Sequence, residues 1–483
     1  MQAIAQAVIL AAGMGTRLRG ESQPLPKPLV RVGGLTLLKR AILTARKAGI
    51  TRFVIVVGCD GDRVRAAVDG DPELSGVELV FVDNPDYRKS NGVSVLKAAP
   101  HVRGEFFLMM ADHVVDPAIY RVLQGEPARG GLVLAVDRKL STIFDMDDAT
   151  KVVTGERDRI VRIGKQLTEF DAVDTGVFRC DPALFERLEA VLAQKGDCSL
   201  SDGVQALAAD GKARVADVGA AWWQDVDTPP TIKHAEKLLF RSLTKPIDGP
   251  ISKAINRRFS KTITRLVMNT SIVPNHMTAV GLLVGLAAAA VTAFSTPASW
   301  WLLPIGGLLY QLSSMIDGCD GEIARLKFKH SDSGEWFDTI SDDVINLSYQ
   351  LALGFALYRW TGDALWFQLG AVTFGLGWVV CISLYRKLLA NGKGTHLAIE
   401  WSMRQENAGW FNRFCAKLEF VAKRDFYALT LMVLSFIGIG AMKWAAVLSF
   451  VTVAIVAAQW GATQLRGLRT PRTPEREPTT NAG

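Results

Sequence analysis

The apolar positions of this chain change character about halfway along it. Up to about residue 250 they come as short bursts bounded by Gly, Pro, Asn or Asp: "AVILA" (7–11), "RFVIVVG" (52–58), "VELVFVDN" (77–84) and "EFFLMMAD" (105–112). Bursts of that length, rich in β-branched and aromatic residues, read as buried strands, and the mixed stretches between them read as helices. The alternation predicts an α/β domain with a Rossmann-like mixed, mostly parallel sheet whose ligands sit at strand carboxyl ends. From Met277 the bursts give way to long uncharged runs: Met277–Phe294, Trp300–Ile316, Val344–Tyr358, Ala364–Tyr385, Phe426–Met442 and Trp444–Gln464. A bilayer span takes about 20 residues, roughly 17 to 25. The runs therefore predict an all-α six-helix transmembrane domain, the third helix reaching sufficient length if it starts near Trp336. The expected organisation is an α/β domain over 1–240, a linker with an interfacial helix over 241–272, the six spans over 273–466, and a Pro/Thr-rich disordered tail over 467–483.

Between the two halves, Ile251, Ile255, Phe259, Ile263 and Leu266 recur at three- and four-residue steps. Lys253, Arg257, Arg258, Lys261 and Arg265 lie between them. That pattern predicts an amphipathic helix in the membrane interface, apolar side in lipid and basic side toward headgroups. The connections after the second and fourth runs carry most of the Lys and Arg, among them Lys327, Lys329, Arg386, Lys387, Lys393, Arg404, Arg413, Lys417, Lys423 and Arg424. By the positive-inside rule these connections, the α/β domain and both termini are cytoplasmic, in a multi-pass protein of the cell's inner membrane. The net charge is +7. With no basic patch interleaved with aromatics in the first half, it points to a membrane surface and excludes nucleic acid as a partner. Six Cys without a CxxC pair exclude a zinc site or disulfide framework and fit a reducing compartment. The N-terminal "MQAIAQAVILAAGMG" has no basic n-region, so no signal peptide is expected.

One charged stretch stands against the apolar background: "MIDGCDGEIARLKFKHSDSGEWFDTISDDV" (315–344). Asp317 and Asp320 are i and i+3, Asp338 and Asp342 are i and i+4, so on helices each pair shares a face. "KFKHSDSG" (327–334) turns the chain back, and the two helices then present four carboxylates to one another. Like charges that close demand a cation, and hard oxygen ligands favour Mg²⁺, Mn²⁺ or Ca²⁺. Gly321 and Gly334 leave room for a ligand, and Arg325 offers a bidentate phosphate contact. The spacing is D-x2-D-G-x2-A-R-x8-G-x3-D-x3-D, read through Asp317, Asp320, Gly321, Ala324, Arg325, Gly334, Asp338 and Asp342. It resembles the CDP-alcohol phosphotransferase family, six-span enzymes that move a phosphate-linked group from a CDP-alcohol to a second alcohol. The resemblance implies that Asp317, Asp320 and Asp338 hold divalent metal on the CDP pyrophosphate. It makes Asp342, beside the metals, the base for the acceptor hydroxyl.

At the N-terminus, "AVILAAGMGTRLRGESQPLPKPLV" is a strand-like run broken at Gly13 and Gly15 and followed by Thr16, Arg17 and Lys27. Glycines after a strand let backbone N–H groups wrap a phosphate, and the two cations add charge. L-A-A-G-x-G-T-R-L followed by P-K-P-L resembles the sugar-phosphate nucleotidyltransferases. The resemblance implies that Arg17 and Lys27 hold the triphosphate and phosphate substrates, and that Asp112 and Asp227 (in "WWQDVDTPP") bind Mg²⁺, with Mn²⁺ as the alternative. Asn84, Ser90, Asn91 and Ser94 in "DNPDYRKSNGVSVL" look like base, ribose or polyol contacts. By the same resemblance Lys151, Asp174 and Gly176 become substrate contacts.

A domain that makes an activated nucleotide-alcohol, fused to one that consumes a CDP-alcohol, implies that the first uses CTP. The whole arrangement resembles the bifunctional inositol-1-phosphate cytidylyltransferase / di-myo-inositol-phosphate phosphate synthase family. It implies CTP plus inositol-1-phosphate to CDP-inositol, then transfer of phosphoinositol to inositol-1-phosphate or to a membrane lipid alcohol, in a homodimer formed through the spans. Three rivals stand beside it. A choline- or ethanolamine-phosphate cytidylyltransferase fused to a headgroup transferase calls for an aromatic cage, and "AWW" (221–223) is the one cluster there. A transporter with a nucleotide-binding regulatory domain calls for broken or polar mid-bilayer helices. A scaffold makes the motif acids dispensable.

Overall fold

Each apolar burst of the first half becomes a strand. In the computed structural model, which describes residues 4–18, 25–244, 251–392, 394–396 and 423–469 (side chains to 464), the strands are β1 (Gln6–Ala11), β2 (Arg52–Val57), β3 (Glu78–Asp83), β4 (Phe106–Met110), β5 (His113–Val115), β6 (Leu132–Asp137), β7 (Lys151–Thr154), β8 (Ile160–Gly164), β9 (Ala172–Cys180), β10 (Ala213–Asp217) and β11 (Trp223–Asp225). Nine of them form one sheet in the order β8–β7–β9–β4–β1–β2–β3, with β6 paired to β9 and β10 beyond it; β5 and β11 form a separate two-stranded sheet.

The first half of that sheet is parallel, as the alternation of strands and helices requires: β1 pairs in parallel with β2 and β4, and β2 with β3. The second half departs from the mostly parallel expectation, because β9 runs antiparallel to β4, β6 and β7, and β7 to β8. Residues 151–180 have no room for crossover helices, and closely spaced strands can only return antiparallel. Val8, Val54, Phe106, Leu108, Leu134 and Phe178, all buried, fill the core beneath the sheet.

The chain divides into two units, Met1–Ser242 and Leu243–Gly483. The second is helical throughout its described residues. A π turn (Ser252–Asn256) leads into α1 (Arg257–Val267). It is followed by α2 (Pro274–Ala293), α3 (Leu302–Leu326), α4 (Asp332–Thr361), α5 (Ala364–Ala390), α6 (Arg424–Ile437) and α7 (Ile439–Arg469). Five of the six apolar runs thus fall on one helix each, and Phe426–Met442 is divided between α6 and α7. Three of these are long and apolar enough to cross a bilayer: α2, α5 and α7 over Ile439–Gln464. The six-span expectation is met only that far. α3 and α4 carry the acidic stretch at their facing ends, and α6 has 14 residues. It ends at Gly438, with φ of +115°, where the fifth run passes into α7. Ala288, Leu303, Tyr310, Ile345, Tyr349, Leu353 and Leu431 form the core of this unit. Lys393, Arg404, Arg413, Lys417 and most of the expected tail lie outside the described residues.

Candidate active sites

The carboxyl end of β1 opens into the Gly13–Arg17 turn, and β4 ends just before Asp112. Strand chemistry brings the remaining acids there. β11 pairs antiparallel with β5 so that Asp225 lies opposite His113. Alternation along the extended chain then places Asp227 on the same side as Asp225, with Val226 buried between them. Gly13, Gly15, Thr16, Arg17, Lys27, Asn91, Asp112, Asp174, Gly176 and Asp227 all line one cavity of about 380 Å³. His113, Asp148, Lys165 and Asp225 line it too.

Lys27 is the hub. Its Nζ lies 2.5 Å from Asp112 Oδ2 and 3.8 Å from Asp225 Oδ1, and it is bonded to Asp227 Oδ1. Burial opposes the ammonium charge, but the carboxylates of Asp112, Asp225 and Asp227 outweigh it and hold Lys27 above its ordinary pKa. Arg17 Nη1 bridges Asp148 Oδ2 (2.5 Å) and Asp227 Oδ2 (3.1 Å), and Lys165 Nζ reaches Asp148 Oδ1 at 2.9 Å. His113 Nδ1 lies 2.8 Å from Asp112 Oδ1, and its ring stacks beside Trp223. Burial disfavours its charged form, yet Asp225 and Asp112 push its pKa up to about 9. Burial of its carboxylate pushes half-buried Asp225 up to about 6 despite His113, and burial does the same to Asp174. Gly176 sits at φ +77°, where a Cβ would meet His113 Cδ2 at 2.5 Å. Its N–H donates to Asp174 Oδ1 at 2.6 Å.

A divalent cation fits this donor set. Ligand oxygens of Asp148, Asp225 and Asp227 lie within 4.8 Å of one another, as do ligand atoms of Asp112, His113 and Asp225. Asp225 Oδ1 is buried with no hydrogen-bond partner among the described residues. The sequence reading missed Asp225, His113, Asp148 and Lys165. For Asp225 the signal was present, two positions before Asp227 on an extended segment. Other expected contacts are engaged elsewhere. Asn84, buried, donates to Ser94 Oγ (2.9 Å) and accepts from the Asp86 N–H (2.9 Å). Ser90 Oγ donates to Asp197 Oδ2 at 2.8 Å, and Asn91 Oδ1 accepts from the Leu200 N–H at 2.8 Å. Lys151 Nζ donates to the Lys165 carbonyl at 2.9 Å. None of Asn84, Ser90, Ser94 and Lys151 lines the cavity.

In the second unit, α3 and α4 bring the four motif aspartates together as the helical spacing requires. The turn between them passes through Phe328 in the left-handed region (φ +58°), and Ser331 caps α4 by accepting from the Gly334 N–H at 3.1 Å. Ligand oxygens of Asp317, Asp320 and Asp338 lie within 4.8 Å of one another. Thr278 Oγ1 of α2 donates to Asp320 Oδ2 at 2.6 Å, and the Gly321 N–H donates to Asp320 Oδ1. Asp338 Oδ1 is buried with no hydrogen-bond partner among the described residues. A hard cation fits three clustered carboxylates with an orphaned oxygen. Asp342, next to Asp317 but not one of that trio, pairs with Arg424 at the start of α6, whose Nη1 also lies 3.1 Å from Asp317 Oδ1.

Arg325 Nη2 donates to the Leu243 carbonyl at 3.0 Å, and Ala324 is buried. Lys327, one of the basic residues of the connection after the second run, is buried and donates to the carbonyls of Thr270 (2.8 Å) and Ile272 (3.0 Å). Beside Asp342, Asp343 accepts from Tyr385 Oη (2.5 Å) and contacts His396 Nε2 (2.9 Å), a cluster that no motif in the sequence announced.

Residues 7–202 match the family described as MobA-like NTP transferase domain, and residues 271–455 the family described as CDP-alcohol phosphatidyltransferase. The chain is 37% identical over 373 residues to a Thermococcus kodakarensis protein named bifunctional IPC transferase and DIPP synthase, covering 76% of this chain and 80% of that one. Proteins of the same name from Archaeoglobus fulgidus (38% identity, 75% of this chain and 68% of that one) and Rubrobacter xylanophilus (38%, 72% and 77%) align similarly. Among solved structures, the inositol-1-phosphate CTP transferase from T. maritima aligns at 30% identity with a TM-score of 0.45, covering 49% of this chain and 97% of that one.

Proposed function

The chain belongs to the bifunctional IPC transferase and DIPP synthase family, and from that premise we propose the two reactions it joins. It is an enzyme with nucleotidyltransferase and CDP-alcohol phosphotransferase activities. The N-terminal unit transfers CMP from CTP to inositol-1-phosphate, giving CDP-inositol and diphosphate. The C-terminal unit moves phosphoinositol from CDP-inositol to the hydroxyl of a second inositol-1-phosphate, releasing CMP. The observation that carries this reading is that each unit holds a cluster of carboxylates with a cation fixed beside it: Lys27 among Asp112, Asp225 and Asp227, and Arg424 beside Asp317 and Asp342.

In the first reaction a phosphate oxygen of inositol-1-phosphate attacks the α-phosphorus of CTP in line, and the bond to the β-phosphate breaks. The Gly13–Arg17 backbone and the Arg17 and Lys27 cations hold the triphosphate and neutralise charge on the leaving diphosphate. Asp112, Asp225 and Asp227 are the residues that would hold Mg²⁺, with Mn²⁺ as substitute. Asp174, Gly176 and His113 face the polyol. In the second reaction the acceptor hydroxyl attacks the phosphorus that bears inositol, and the pyrophosphate bond to CMP breaks. Asp342 takes the hydroxyl proton, while Arg424, bonded to that carboxylate, orients it. Asp317, Asp320 and Asp338 are the residues that would hold the divalent cation. Bound in either unit, the cation would supply charge stabilisation for the attacking and leaving oxygens.

The test is purified chain incubated with CTP and a panel of phosphorylated polyols and amino alcohols, with and without lipid, and products identified by mass spectrometry. CDP-inositol followed by a phosphodiester that joins inositol to inositol phosphate is expected. CDP-choline or CDP-ethanolamine instead, or a product only when lipid is added, contradicts the assigned substrates.

On this reading the second unit is a six-span inner-membrane domain, dimeric through its helices, with α1 on the membrane surface and the aspartates at the cytoplasmic edge. The support is the family match, three apolar helices, and the exposed Phe259 and Leu266 of α1. An impermeant thiol reagent applied to intact cells is expected to label Ala298→Cys and to spare Lys329→Cys; the reverse pattern overturns the orientation.

A further inference from the structure

α1 has a third face besides its basic and lipid-facing ones. Asn256, Ser260 and Thr264, at four-residue steps, form a buried stripe of small polar residues against α3. Glu322 of α3 is fully buried, and its carboxylate accepts from Ser260 Oγ (2.6 Å) and Thr264 Oγ1 (2.8 Å), with Arg257 Nη1 at 3.1 Å. A turn earlier, Arg257 Nη1 donates to the Gly318 carbonyl at 3.2 Å. Three turns before Glu322, Gln311 Nε2 donates to Asn256 Oδ1 at 2.8 Å. A Cβ on Gly318 would stand 3.1 Å from Arg257 Nη1 and 3.2 Å from Ser260 Cβ, so the two helices touch there. Just before the stripe, the Ser252 N–H donates to Asp425 Oδ2 at 2.8 Å, beside Arg424.

A charge buried among apolar helices is tolerated only when its partners are fixed, and such a group is retained for a role. The role follows from helix geometry. At ~100° per residue, Glu322 projects nearly opposite to Asp320 on α3. Three donors from α1 on one side of α3 therefore set its rotation, and with it the direction of Asp317 and Asp320 on the other side.

We propose that Glu322 is a positioning residue of the phosphotransfer site: locked by Arg257, Ser260 and Thr264 of α1, it fixes the rotation of the metal-bearing helix. This rests on reading Asp317, Asp320 and Asp338 as cation ligands. It makes α1 a structural part of the site as well as a surface anchor.

The experiment uses the full chain in detergent, with CDP-inositol supplied. Two quantities are read: Mn²⁺ binding by electron paramagnetic resonance with acceptor absent, and phosphotransfer as a function of Mg²⁺. Glu322→Ala is expected to weaken Mn²⁺ binding and to raise the half-saturating Mg²⁺ by about 10–100-fold, the range for groups that orient metal ligands. Most of kcat returns at high Mg²⁺. Glu322→Gln, which keeps the shape and can accept from fewer donors, is expected to show a smaller rise, as are Ser260→Ala and Thr264→Val. These milder variants decide the matter should Glu322→Ala fail to fold. Wild-type Mn²⁺ binding and an unmoved Mg²⁺ curve, whether or not the yield of active protein falls, overturn the proposal. If the unsubstituted chain neither transfers phosphoinositol nor binds Mn²⁺, the reading of the site itself has failed.

Discussion

Asp342→Asn is expected to abolish transfer of phosphoinositol from CDP-inositol while CTP is still converted to CDP-inositol at the rate of the unsubstituted chain. Asn has the shape of Asp but cannot take a proton, and removing a positioned general base lowers a rate by about 10²–10⁴. The same change takes from Arg424 the carboxylate it is bonded to, leaving Asp317 Oδ1 at 3.1 Å as its acidic partner among the described residues. Asp338→Asn reaches the same functional outcome by a different route. It replaces a buried, unpartnered carboxylate oxygen with a neutral amide, so the cation loses a ligand. In chelator, however, Asp338→Asn is expected to raise the melting temperature of the C-terminal unit, because it relieves repulsion among clustered carboxylates. A site that gains stability as it loses activity is the signature of strain held for function. Melting curves with and without Mg²⁺, set beside the half-reaction rates, check both directions.

The converse substitution lies in the first unit. Asp227→Asn is expected to eliminate CDP-inositol synthesis and to leave phosphotransfer from supplied CDP-inositol intact. Asp227 is bonded to Lys27 and lies 3.1 Å from Arg17, so its loss removes a cation ligand and one partner from each of the two phosphate-holding side chains. Positioning and charge stabilisation are nearly the whole of phosphoryl-transfer catalysis. A loss of at least about 10²–10³ in kcat is therefore expected, the effect of deleting one transition-state contact. Asp225→Asn is expected to fall in the same class, since Asp225 faces both Asp112 and Asp227. Near-normal synthesis in Asp225→Asn alone would mean that it serves His113 rather than the cation.

The four aspartates of the second unit were legible in the sequence because helical spacing alone decides which side chains share a face. Asp317, Asp320, Asp338 and Asp342 needed two helices and a turn, all within one stretch. The Gly13–Arg17 turn and Lys27 were legible for a similar reason, lying in one short segment after a strand. What escaped depends on pairing between distant segments. Asp225 meets His113 through an antiparallel ladder 112 residues apart in sequence, and Asp148 reaches Arg17 across a loop that no periodicity describes. Glu322 looked like a variable position of the motif, since only the docked α1 reveals that its side of α3 is buried. In the other direction, Asn84, Ser90 and Lys151 carried the polarity of ligand contacts, but their hydrogen bonds close on neighbouring backbone and side chains. A mixed sheet was legible, but not that half of it would run antiparallel, because apolar bursts carry no direction. Only the short spacing of β7, β8 and β9 encodes it.

Two sites working in sequence are tested most directly with Asp342→Asn supplied with CTP, inositol-1-phosphate and Mg²⁺, with diphosphate, CDP-inositol and CMP followed together. CDP-inositol is expected to accumulate one for one with diphosphate, with no CMP. Failure to form CDP-inositol, or CMP released at the rate of the unsubstituted chain, would contradict two independent sites working in sequence on one chain.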